Sequence, residues 1–452
     1  MHLAVATLTR PVLLALLGLP ILAASAAGQT VLFGVDDIDD NGIPDLRITS
    51  NGGSQRIEIR QHPGFMELVV DANGDGDTLD ANDFPSTFVL GDVDQIVVSL
   101  GGGNDSFVYR LAEDVDSVVH AFRIDLGSGN DEFSFLADAH TLGPASALSF
   151  EVAGGSGNDR LTFKPHTIDG AALDLRADLG AGNDFVDLLP TGSWKGGARV
   201  DLNVLLGAGT NEATAKLVAG VVATADVPGG SRGRIVLEGG PQKDHITVLT
   251  QSRVSDFGTS ELELRGGAGN DFLEVQIDDL LFDVENPDGD ESAGHARIAL
   301  SGGPGNDELR VRRAKALPIV KLEGLLDLDL DGGAGNDLVE VLLGGSPLFF
   351  ATNDQAPERG LAVRAEGGPG KDTLRLDLFA DDATVGPYDV SMSGGADDDV
   401  VDLTYTVESG DPSFGFAGAV LLDGGTGTKD GVAVHDNGSI PVRTSNFELE
   451  LP

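Results

Sequence analysis

The chain has 452 residues with 73 acidic against 29 basic side chains, and its formal charge of −44 argues against nucleic acid and anionic membrane as partners and points to cations. Its 63 glycines are more than helices tolerate, so helix should be scarce. Cysteine is absent, which excludes disulfides, thiolate metal sites and a lipidated N-terminal cysteine.

The first element is a short basic region ending at Arg10, an apolar run from Val12 to Ala24 and the small-residue site Ala24-Ser25-Ala26. Residues 1–26 therefore read as a secretory signal peptide; the run is short for a bilayer and is interrupted by Pro20, with Pro11 just before it. No later apolar stretch is long enough to span a membrane. The mature chain is expected outside the cytoplasm, either secreted or at the cell surface, in an extracellular or periplasmic setting.

Residues 27–95 are expected to form an N-terminal cap carrying two Asp-rich loops. In the first, Asp37, Asp39, Asn41 and Asp45 fall at positions one, three, five and nine, with Gly42 at six for the sharp turn. Oxygen side chains at that spacing wrap a calcium ion. Asp71, Asn73 and Asp75 repeat the scheme. Neither loop has a closing Glu or helix-like flanks, so both are read as isolated calcium loops.

From residue 96 to 439 one pattern recurs, shown by Gly266-Gly267-Ala268-Gly269-Asn270-Asp271 between the alternating pairs Leu262, Leu264 and Leu273, Val275. Twelve such turns close at Asp105, Asp131, Asp159, Asp184, Asn211, Asp244, Asp271, Asp307, Asp337, Asp372, Asp399 and Asp430. A fixed motif at a variable period marks a solenoid whose extra residues bulge as loops. Two residues after each turn stands an apolar residue, and alternation continues on both sides, so both strands direct one face to a shared core. One residue further out, Glu274, Arg310, Glu340, Arg375 and Asp402 alternate in charge in successive repeats. In-register parallel stacking makes that a favourable ladder, whereas an antiparallel meander gives no reason for it. The expected fold is all-β, a right-handed parallel β-helix of about twelve coils with one glycine-rich turn per coil. Residues 440–452 are expected to cap the far end against edge pairing.

Turns such as Gly302-Gly303-Pro304-Gly305-Asn306-Asp307 resemble the calcium-binding repeat of haemolysin-type (repeats-in-toxin, RTX) proteins. The resemblance covers about residues 96–434. It implies that glycine carbonyls and the Asp carboxylate bind calcium between turns of adjacent coils, each turn supplying about half a shell. The expected ligands are Asp105, Asp131, Asp159, Asp184, Asp271, Asp307, Asp337, Asp372 and Asp399. Several features depart from the family. One turn per longer coil implies one calcium row instead of two. Asn211 replaces the acid, Gln242 and Lys243 alter the turn before Asp244, and Lys429 precedes Asp430, so these three positions are left out of the set. Lys371 stands beside Asp372, and Asp397 replaces the last glycine before Asp399. An N-terminal signal, in place of the family's usual C-terminal one, argues against a toxin.

Parallel β-helices also carry carbohydrate-active enzymes, which makes a calcium-dependent polysaccharide lyase the rival reading. Its candidates are thin. Arg310, Arg312, Arg313 and Lys315 form a basic stripe, Asp397-Asp398-Asp399 lie in a calcium-type turn, and Gly229-Gly230-Ser231-Arg232-Gly233 precedes a strand where a nucleophile elbow needs a helix. The histidines have no HExxH spacing. The sequence therefore points to an exported calcium-binding solenoid with a structural or adhesive role and no catalytic residues assigned. Extracellular polysaccharide or cell-surface components are its expected partners.

Overall fold

The computed structural model describes residues 21–26, 29–50, 52–71, 87–90, 93–217, 220–222, 230–250, 254–255, 258–278, 294–313, 320–322, 325–344, 348–350, 360–380, 388–407, 418–436 and 442–450. Residues 1–20 of the expected signal peptide, Asn73, Asp75 and Lys315 lie outside them. Strands and turns make up the described residues, with no α-helix among them and therefore no helix long and apolar enough to cross a membrane.

Two long sheets run the length of the repeats. One sheet joins Gln95–Ser99, Val119–Ser128, Ala147–Ser156, Ala172–Asp178 and their successors to Gly418–Asp423 and Val442–Ser445, all parallel. The other joins Ser106–Leu111, Glu132–Leu136, Arg160–Lys164 and their successors to Gly431–Asp436 and Leu449–Glu450, again parallel. A third sheet of five short parallel strands, from Thr141–Leu142 to Val254–Ser255, lies along part of the stack. The glycine turns link a strand of the first sheet to a strand of the second, once per repeat. This is a parallel repeat architecture that fits a β-solenoid.

Register follows from the apolar positions. Phe107, Phe133, Leu161, Val186, Ala213, Ile246, Leu273, Leu309, Val339, Leu374, Val401 and Val432 are consecutive Cα partners down the second sheet. All are buried, and a slip of one residue would take the whole row out of the shared core. The outward row keeps the same register. Glu274, Arg310, Glu340, Arg375 and Asp402 pair in sequence, with Arg310 Nε 2.8 Å and Arg375 Nη1 3.0 Å from Glu340 carboxylate oxygens.

The N-terminal region joins the same stack. Asp45–Ser50 pairs parallel with Gln95–Ser99, and Arg56–His62 pairs parallel with Ser106–Leu111. Beyond them the pairing turns antiparallel, through Gln29–Asp36 and Ile21–Ala26 on one sheet and Phe65–Asp71 and Thr87–Leu90 on the other. The parallel edge is thus covered by hairpins.

The core beneath the first repeats is aromatic. Phe150, 1% exposed, has ring centroids of Phe122, Phe135, Phe133, Phe163 and Tyr109 at 4.6, 5.3, 5.7, 5.8 and 5.8 Å. Phe150→Ala should destabilise the protein by about 3–5 kcal/mol, read as a lowered denaturant midpoint.

Candidate metal centres

Each turn has a glycine at its second and usually its fourth position, and stacking explains why. Gly269 and Gly305 have φ of +148° and +158°, and a Cβ on Gly305 would lie 1.3 Å from the Gly269 carbonyl oxygen of the preceding coil. Backbone therefore rests on backbone along this row, and a side chain has no room. Coil-to-coil bonds such as Ser128 N–H to Gly101 O (2.7 Å) and Gly103 N–H to Ser128 O (2.9 Å) join the turns.

The closing aspartates form a second, interlocked row. Asp105 N–H donates to Asp131 Oδ1 at 2.7 Å, and Asp131 N–H donates to Asp159 Oδ1 at 2.8 Å. The same bond recurs through Asp184, Asn211, Asp244, Asp271, Asp307, Asp337, Asp372, Asp399 and Asp430 at 2.7–2.9 Å. At the ends, Gln55 N–H donates to Asp105 Oδ1 at 2.8 Å, and Asp430 N–H donates to Glu448 Oε2 at 3.0 Å. Neighbouring asparagines reach the opposite way: Asn104 Oδ1 accepts from Asn130 N–H at 2.9 Å, and Asn130 Oδ1 from Asn158 N–H at 2.8 Å.

Each carboxylate keeps a second oxygen. In ten turns, those of Asp105, Asp131, Asp159, Asp184, Asp271, Asp307, Asp337, Asp372, Asp399 and Asp430, Oδ2 is buried with no hydrogen-bond partner. Asn211 shows what this atom faces, since its Nδ2 donates to the Gly207 and Gly209 carbonyls of its own turn at 3.2 and 3.1 Å. An aspartate in that place has no amide to donate to those carbonyls. Asp244 differs, its Oδ2 accepting from Gly240 N–H at 2.6 Å.

Electrostatics record the cost. Burial, opposed by the bond from the preceding coil and reinforced by an adjacent carboxylate, pushes Asp105, Asp307 and Asp399 up to about 7. The same balance pushes Asp131, Asp184, Asp271 and Asp372 up to about 6. Such an oxygen favours a proton more than an ordinary carboxylate does, and a set of carboxylate and carbonyl oxygens is of the type that a hard divalent cation such as calcium takes. The turn carbonyls give one lone pair to coil-to-coil bonds and retain the other.

The first Asp-rich loop is a separate cluster. Carboxylate oxygens of Asp37, Asp39 and Asp45 lie within 4.8 Å of one another. Asp37 Oδ1 and Oδ2 accept from Asn41 and Gly42 N–H at 3.0 and 2.9 Å, which curls the loop. Asp45 is fully buried, and its Oδ1 has no partner. Burial raises its pKa, the Ile38 N–H opposes this, and the abutting Asp94 carboxyl adds to it. Asp71 of the second loop ends a strand and is buried.

The lyase candidates have other engagements. Arg310 and Arg312 pair with Glu340 and Glu274, Arg313 and Ser231 are buried, and Asp398 pairs with Lys371. Asp397 adopts φ +81° in the place of a glycine, and Asp399 belongs to the interlocked row.

Sequence reasoning missed Gln55, Glu448 and Asp94. The first was legible: Gly52 and Gly53 sit between Leu46, Ile48 and Ile57, Ile59, the usual turn setting with Gln in the closing place. No family model, curated protein or solved structure matches the chain.

Two outcomes follow from the orphaned oxygens. A carboxyl whose folded value lies above its ordinary 3.8 binds its proton more tightly when folded. Its stabilisation is complete below pH 4 and lost as pH rises through about 6 to 7. With chelator present, Tm should therefore fall between pH 5 and pH 8. Asp271→Asn should raise Tm in chelator at pH 8, because the new amide donates as Asn211 does and removes an unsatisfied oxygen costing roughly 1–3 kcal/mol.

Proposed function

We propose that this chain is an exported, calcium-binding β-solenoid with a structural or adhesive role, right-handed, of about twelve coils. In this reading calcium ions along the glycine-turn edge clamp adjacent coils. The observation that carries it is the row of ten buried Oδ2 atoms without a donor. Turn formation and coil-to-coil bonding need only the other oxygen, so the retained negative charge calls for a counter-ion. Asp105, Asp131, Asp159, Asp184, Asp271, Asp307, Asp337, Asp372 and Asp399 would hold the ions with turn carbonyls, as the likeness to haemolysin-type repeats implies. Asp37, Asp39, Asn41 and Asp45 would hold another, and Asp71, Asn73 and Asp75 a further one.

A surface role agrees with a signal-like N-terminus and a charge of −44, with extracellular polysaccharide or cell-surface components as partners. A calcium-dependent lyase draws less support, because Arg310 and Arg312 are paired with carboxylates of neighbouring coils and Arg313 is buried.

Circular dichroism and calorimetric titration test the proposal. In chelator the β signal should be reduced, and millimolar calcium should restore it with binding of several ions per chain. An unchanged spectrum together with no heat of binding would refute it. Asp271→Ala should also weaken uptake at the turn of an adjacent coil, seen as the loss of more than one ion's worth of heat.

A further inference from the structure

The Asp-rich loop does not close on itself. Asn41, at its fifth position, gives its side-chain amide to Asp39 Oδ2 at 3.0 Å and to Asp94 Oδ2 at 2.7 Å. Asp94 lies just before Gln95–Ser99, the strand paired in parallel with Asp45–Ser50. Its other oxygen, Oδ1, is buried without a partner. So is Oδ1 of Asp45, a side chain with no solvent exposure whose carboxyl abuts that of Asp94. Two buried oxygens that no N–H or hydroxyl reaches, one from the first residue of Asp45–Ser50 and one from the residue before Gln95–Ser99, thus belong to abutting carboxyls beside Asp37 and Asp39, whose carboxylate oxygens lie within 4.8 Å of that of Asp45.

We infer that Asp94 is a further ligand of a divalent-cation site shared between the loop and the next repeat, an inference that rests on the calcium reading above. The loop lacks the closing bidentate Glu that completes a calcium shell, and Asp94 supplies the missing carboxylate from outside the loop. The ion then acts as a staple. One side of its shell belongs to the hairpin of Gln29–Asp36 and Asp45–Ser50, the other to the strand on which the hairpin docks. Calcium would fix the cap on the first repeats, independently of the ions along the glycine turns.

Hydrogen exchange on the full chain, titrated from chelator into millimolar calcium, tests this peptide by peptide. In the wild type, peptides spanning residues 31–50 should gain protection with a defined calcium midpoint. Asp94→Asn retains an acceptor for Asn41 while removing the charge, and should move that midpoint upward by about tenfold. Peptides over Gly266–Asp271 and Gly302–Asp307 should keep theirs, which also reports that the variant is folded. Asp39→Asn, within the loop, should reproduce the shift. Equal midpoints for residues 31–50 in wild type and Asp94→Asn would overturn the role of Asp94. A wild type in which the turns respond to calcium and residues 31–50 do not would overturn the loop site alone. A wild type in which neither responds would overturn the calcium reading beneath both.

Discussion

The stack depends on one hydrogen bond, from the backbone N–H that closes a turn to the carboxylate of the next coil. In a parallel ladder the residue after the turn donates to the carbonyl of the closing residue one coil back, as Glu132 N–H does to Asp105 O at 2.8 Å. The closing residue's own N–H is buried and donates to a side chain of the next coil rather than to a carbonyl. Left unmade, that bond would cost roughly 1–3 kcal/mol at every coil. Asp131 Oδ1 fills the place for Asp105, and the arrangement repeats from Gln55 to Glu448. Each coil therefore needs the side chain of the next to satisfy its own backbone. A coil is incomplete alone, which is the physical content of a repeat protein.

Asparagine would do this work as well as aspartate. At Asn211 the amide oxygen accepts the N–H of Asp184, and the amide nitrogen is satisfied by two turn carbonyls. Nothing is left over. Aspartate at the same place leaves an anionic oxygen among carbonyls, and burial drives it toward the protonated form. The chain nonetheless uses the acid in eleven of twelve turns. Packing explains the glycines and hydrogen bonding explains the oxygen at Oδ1. Neither explains the charge, which the proposed cation would neutralise.

Much of this was legible because the repeats state the same rule many times. The alternation around each turn defined which residues face inward, and the partners Phe107 to Val432 stack as that alternation requires. The charge order from Glu274 to Asp402 indicated parallel strands in register, and the pairing is parallel. What escaped notice came from partners remote in sequence or altered in type. Gln55 and Glu448 close the row at its two ends without an aspartate: Gln55 has no preceding turn of the row to serve, and Glu448 serves Asp430 through a longer side chain. Asp94 meets Asn41 across 53 residues, a contact that only strand pairing creates. The asparagine row was visible as a recurring residue, yet its direction was not. Opposite reach of Asn and Asp side chains is a property of two superposed turns, not of one.

Charge is distributed differently on the sheets and at the turns. On the sheets, carboxylates meet guanidinium groups of their own and of neighbouring strands: Glu58 pairs with Arg60 and Arg110, Glu263 with Arg234 and Arg265, and Glu340 with Arg310 and Arg375. Flat faces thus carry alternating ladders that cross-link coils without metal. At the turns no guanidinium or ammonium among the described residues pairs with a closing aspartate; Lys371, the cation beside Asp372, pairs with Asp398 instead. Uncompensated negative charge is thereby concentrated on a single edge, in buried carboxylates one strand spacing apart. Like charges at about 4.8 Å repel strongly where water is excluded. On the proposed reading that edge would be the part of the stack most stabilised by cations, so the ion supply of the surroundings would govern its cohesion.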